Sequence, residues 1–146
     1  MNMRRGVFGL AVAVMAFAGV LALAVPSFAK DPLGLTGYDP VSYFSGSRPQ
    51  KGSSQFTAQH RGHTYQFANK QNLDAFKANP ARYAPRFDGF CAYGVSRGYK
   101  VGVDPLAYKV VDGKLYVNYS KSVQRTWSRD IPGYISKANK NWQGLK

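Results

Sequence analysis

Cysteine, methionine and acidic residues are scarce in this chain. Cys91 is the only cysteine among 146 residues, so no intramolecular disulfide can form. The three methionines, Met1, Met3 and Met15, all precede residue 30, which leaves Cys91, His60 and His63 as the soft or borderline metal ligands beyond it. That inventory excludes a Met-rich copper(I) site within one chain. It equally excludes a zinc site of four cysteines, or of two cysteines and two histidines. Glutamate is absent, and the 7 acids, all Asp, face 20 Lys and Arg for a net charge of +13. Such a field attracts anionic surfaces and favours solubility, but it specifies no fold. The cations are spread along the chain rather than blocked into a tail, which argues against a nucleic-acid-binding arm.

What is present begins with an export signal. Arg4 and Arg5 precede a nearly unbroken apolar run over residues 7–25, and Ser27-Phe28-Ala29 supplies the small residues that signal peptidase needs. The pattern predicts a signal peptide over 1–29, cleavage after Ala29, and a periplasmic or secreted product with no stable membrane span. An uncleaved anchor is the alternative, because about eighteen apolar residues just reach across a bilayer. An exported chain rarely meets nucleic acid, so none is expected as a partner. Residues 30–146 have the size of one domain and a Tyr-, Phe-, Gly- and Pro-rich composition, which predicts a compact, turn-rich α+β fold. Cleavage would leave 18 Lys and Arg against 7 Asp, a net of +11. The residue order shows no internal repeat.

Two hairpins are legible. Phe56 and Ala58, then Tyr65 and Phe67, alternate with polar residues on either side of Arg61-Gly62. A two-residue turn there opposes His60 to His63, Ala58 to Tyr65 and Phe56 to Phe67 on one face; a bulged three-residue loop at Gly62 would break that pairing. Asp112-Gly113 between residues 107–111 and 115–119 marks the second hairpin. Asn69 is a natural cap for a helix to about Ala78, closed by Pro80. From Ser120 the apolar spacing of Val123, Trp127, Ile131, Ile135, Ala138 and Trp142 is helical, with Pro132 in the first turn of a second segment. Both Trp read as core anchors. A short element is expected near residues 41–44, and residues 87–98 read as loop or short helix.

Asp39-Pro40-Val41, His60, Gly62, Tyr65-x-Phe67, Phe76, Asn79-Pro80 and Tyr83 together resemble the YHS domain. Gly89-Phe90-Cys91-Ala92, Asp104-Pro105, residues 112–116 and Trp127 are similar to its exported, single-domain bacterial members. The resemblance spans residues 37–142 and implies a small α+β unit related to treble-clef metal-binding modules. In metal-linked YHS domains a cysteine follows Asp-Pro-Val and another follows the Tyr-x-Phe strand. Here Ser42 and Ala68 stand at those places, so the family's usual thiolate pair is missing.

Three function classes follow. The first is a site of Cys91 with His60 and His63, with Asp88 or Asp39 completing the shell, that binds a transition metal ion (copper, zinc or nickel) or another small ligand. A buried structural cysteine is its plain counterpart. The second is a metal-free structural or interaction module that binds a protein or a polyanion, such as an anionic envelope component. The third, an enzyme with Cys91 as nucleophile and His60 as base, lacks an orienting third group, a nucleophile elbow and a phosphate loop. No catalytic residue is therefore assigned.

Overall fold

The computed structural model describes residues 32–146, together with Ala13 and Gly19. The predicted signal peptide lies almost wholly outside the described residues. Among those residues no helix is long and apolar enough to cross a membrane.

The fold is mixed α+β, built on two small antiparallel hairpins. Strands β1 (Ser53–His60) and β2 (His63–Phe67) form the first, and β3 (Asp104–Val111) and β4 (Lys114–Asn118) the second. The tips close on Arg61-Gly62 and Asp112-Gly113, all four at positive φ, as tight two-residue hairpin turns demand. His60 pairs with His63 and Ala58 with Tyr65, as the alternation predicts. Phe56 does not oppose Phe67. A bulge between Ser53 and Thr57 shifts the register, and Ser53 takes that place. Gly52 enters the ladder so close to the Gln66 backbone that a Cβ there would have no room.

Helix α1 (Lys70–Ala78) starts where the Asn69 side chain accepts the Asn72 N–H at 2.8 Å. Pro80 does more than close it, for it opens α2 (Pro80–Tyr83) under a cap from Asn79. Residues 87–98 resolve into a turn, Arg86–Gly89, and helix α3 (Ala92–Ser96). The helical C-terminal third breaks into α4 (Lys121–Trp127) and α5 (Ile131–Leu145), with Pro132 in the first turn of α5. The element near residue 41 is a 3-10 turn, Val41–Phe44.

The backbone repeats itself, which corrects the expectation of no internal repeat. Thr57–Gln66 and His60–His63 in the first hairpin become Tyr108–Val117 and Val111–Lys114 in the second, 51 residues on, and the same bulge recurs between Asp104 and Tyr108. Each hairpin is preceded by a left-handed turn (Leu35, Thr36, Gly37; then Phe87, Asp88, Gly89). Each is followed by a capped helix. The cap dihedrals agree within a few degrees: Asn69 (φ −157, ψ 171) with Ser120 (−156, 168), and Asn79 (−152, 73) with Asp130 (−152, 70). Between residues 53–83 and 104–134 the identical pairs are only Gly62/Gly113, Tyr65/Tyr116, Lys70/Lys121 and Tyr83/Tyr134. The two units share backbone geometry while their side chains differ, so a residue-by-residue reading finds no period.

The two units share one wall. Leu115 and Val117 on one face of β4 join the first core with Leu35, Tyr43, Tyr65, Phe67 and Phe76. Tyr116, on the opposite face, joins the second with Phe87, Ala92, Val95, Trp127 and Ala138. A strand buried on both faces ties the halves into one domain. An aromatic pair recurs at each centre: Tyr65–Phe76 at 5.4 Å and Tyr116–Trp127 at 5.7 Å.

Candidate functional site

Cys91 caps α3 and is buried, 1% exposed. Its sulfur accepts the N–H of Gly94 at 3.4 Å and of Tyr119 at 3.2 Å, and its thiol faces Asn118 Oδ1 at 3.6 Å. Asn118 Oδ1 also accepts the Tyr93 N–H at 3.1 Å, which fixes the amide's orientation. The position has a counterpart in the first unit. Asp39, fully buried, accepts N–H groups from Val41 (2.8 Å), Ser42 (3.3 Å) and Ala68 (2.9 Å), and from Asn72 Nδ2 (2.7 Å). Both anchors hold the residue three places on and the residue just after the second strand. Cys91 thus does for α3 and β4 what a carboxylate does for the first unit.

The histidines sit elsewhere. His60 and His63 face one another as Cα partners at the first hairpin tip. The His60 ring meets Phe76 edge-on at 5.8 Å, and His63 Nδ1 lies 3.2 Å from the Arg61 carbonyl oxygen. Burial lowers the His60 pKa from its ordinary value, the Arg61 cation lowers it further, and Asp88 partly opposes both. His60 lines a cavity of about 330 Å³ with Arg61, Tyr65, Arg86, Asp88 and Trp142. Cys91 lines another, of about 200 Å³, with Tyr93, Gly94, Tyr99, Val101, Tyr119 and Val123. The structure therefore brings the two histidines together and sets Cys91 on a separate cavity. Among the described residues no group of three or more His, Cys, Asp or Glu converges as a metal cage. The two carboxylates expected to complete a shell are engaged: Asp39 by its four donors, and Asp88 by Arg61 at 3.0 Å.

No family model, no curated protein and no solved structure matches this chain.

Two features escaped the residue-level reading. One is the cationic lining that Arg61 and Arg86 give the His60 cavity, joined there by the buried Tyr65. Burial holds the Tyr65 phenol well above its usual pKa, Asp88 adds to the rise and Arg61 opposes it, so the hydroxyl stays a proton donor at any ordinary pH. The other is a groove of about 390 Å³ on α4 and the turn after it, lined by Lys121, Gln124, Arg125, Ser128 and Arg129. The spacing of Lys121 and Arg125 places two cations on one face of α4, and Arg129 in the turn after it joins them at the groove.

Proposed function

We propose that this chain is an exported, YHS-like, metal-free interaction module that docks on an anionic polymer of the cell envelope. One observation carries the reading. The α4 groove presents Lys121, Arg125 and Arg129 together with the hydrogen-bonding side chains Gln124 and Ser128, and contains no carboxylate. Neither ion pair among the described residues, Arg61–Asp88 or Lys70–Asp74, draws on these cations. Lys121 Nζ reaches the Leu106 carbonyl oxygen, which leans its charge over β3. A row of cations without acidic partners is suited to successive phosphates or carboxylates along a chain.

The metal reading through Cys91, His60 and His63 ranks second. It is favoured by the register that makes His60 and His63 direct partners across the hairpin and weakened by the hydrogen bonds that already hold the buried sulfur. One set of measurements separates the two. Binding of the purified chain to an inorganic polyphosphate should weaken steeply as salt rises, and Lys121→Gln with Arg125→Gln should flatten that dependence. A flat salt response in the unaltered chain would remove the polyanion reading. Tight binding of copper, zinc or nickel, lost in both Cys91→Ser and His60→Ala, would establish the metal site instead.

A further inference from the structure

The His60 cavity and the concavity at its counterpart in the second unit are built from the same backbone. The first lies between the Arg61-Gly62 tip and the chain that follows α1, and is lined there by His60, Arg61, Ala81 and Ala84. The second, of about 400 Å³, lies between the Asp112-Gly113 tip and α5. There Val111, Asp112, Pro132 and Ile135 occupy the matching positions, 51 residues on, with Ser136 and Asn139 as neutral polar groups beside them. One concavity is thus mainly apolar with a single carboxylate, and the other carries imidazole and guanidinium groups. The second unit folds around its concavity with Val111 and Asp112 at those places, so the fold does not require His60 and Arg61 in the first.

We propose that the first cavity binds a small organic oxyanion, a carboxylate or a phosphate monoester, with Arg86, Arg61 and the Tyr65 hydroxyl as its donors. Three observations converge on this assignment. Tyr65 is 1% exposed yet lines the cavity beside Arg61, Arg86 and Asp88. Asp88 holds Arg61 at 3.0 Å, while Arg86 has no carboxylate partner among the described residues. Arg86 instead lies over the Phe87 ring at 5.8 Å, and no carboxylate among those residues holds its five N–H donors. Guanidinium groups match carboxylate and phosphate oxygens in a two-point fork, which ammonium groups cannot do. Pro85, Phe87 and Trp142 form the apolar wall, so the ligand carries a short carbon body beside its charge. A volume of about 330 Å³ admits a metabolite-sized molecule rather than a polymer. The site is separate from the α4 groove and stands or falls independently of it.

Amide chemical shifts of His60, Arg61 and Asp88, followed during titration of the purified chain with benzoate and, separately, phenyl phosphate, provide the test. At least one probe should give a saturable shift at these residues, and the tighter of the two identifies the headgroup. Arg86→Gln should weaken it about tenfold or more, with Arg86→Lys falling between, since a lysine keeps the charge but loses the fork. Asp88→Asn should strengthen binding several-fold by removing a competing carboxylate, a gain that damage to the fold would not produce. Lys109→Gln, at an exposed cation outside both this cavity and the α4 groove, should leave the affinity unchanged. Absence of saturation with both probes would overturn the proposal. So would an equal loss in Arg86→Gln and Lys109→Gln, or an unchanged or weaker affinity in Asp88→Asn.

Discussion

Asp39 and Cys91 occupy the same place in two copies of one backbone design. Each follows a left-handed turn and an extended aromatic residue, Tyr38 or Phe90. Each then binds the N–H three residues ahead and the N–H that follows the second strand of its hairpin. The difference lies in the number of donors. Asp39 accepts from four donors and Cys91 from two: Val123, the counterpart of Asn72, offers none, and the Tyr93 N–H turns to Asn118 instead. A carboxylate needs that surplus to offset its lost hydration, and a thiol does not.

Replacing Asp39 should be among the most damaging single changes outside the aromatic core. Asp39→Ala removes the carboxylate that accepts four partly or fully buried N–H groups, and stability should fall by about 3 kcal/mol. Urea midpoints would show this; a drop below about 1 kcal/mol would deny Asp39 its anchoring role.

For Cys91 the expectation is slow chemistry and a modest energetic role. A thiol reagent should label the native chain orders of magnitude more slowly than the urea-unfolded chain, because 1% exposure makes reaction wait for opening. Cys91→Ser should cost about 1 kcal/mol. Native labelling as fast as unfolded labelling would mean the sulfur is reachable as it stands.

Gly34 and Gly102 should respond differently to alanine. A Cβ at Gly34 would enter the Tyr65 ring, which is itself packed in the first core, so Gly34→Ala should destabilise by about 2 kcal/mol. A Cβ at Gly102 meets nothing, and Gly102→Ala should change stability by no more than about 0.5 kcal/mol. Paired thermal melts check both.

His60 should make stability depend on pH in one direction. Its folded pKa lies below the ordinary imidazole value of 6.5, so the unfolded chain binds the proton more readily between the two values. Stability should therefore be highest above that ordinary value and decline as pH falls towards the folded pKa. His60→Gln should flatten this portion of the stability profile. An unchanged profile in the variant would assign the dependence to another group.

Much of the local structure was legible because it is locally caused. Asp112-Gly113 and Arg61-Gly62 announce hairpins through the positive φ their turns require, and Asn69, Ser120 and the Pro132 segment announce helix starts through unpaired N–H groups. The candidate site was legible only in part. His60 and His63 meet because a two-residue turn dictates it. The course of β1 before Thr57 was not readable, since the bulge between Ser53 and Thr57 changes which residues oppose each other, and alternation does not encode it. Cys91 could not be placed either. Its neighbours Asn118 and Tyr119 lie 27 and 28 residues away in the chain, and one loop conformation or another would have carried it elsewhere.

The sequence by itself determined the two hairpins, the capped helices, the lone thiol and the basic balance, each resting on residue type or on neighbours a few positions apart. Only the tertiary structure decided that the elements form two copies of one unit, that β4 is buried on both faces, and that Arg61, Arg86 and Tyr65 surround a single cavity. The reason is that backbone dihedrals and burial tolerate many side chains. Phe76 and Trp127, or Asp39 and Cys91, fill the same space by different chemistry, and that equivalence becomes visible only where the chain has folded back on itself.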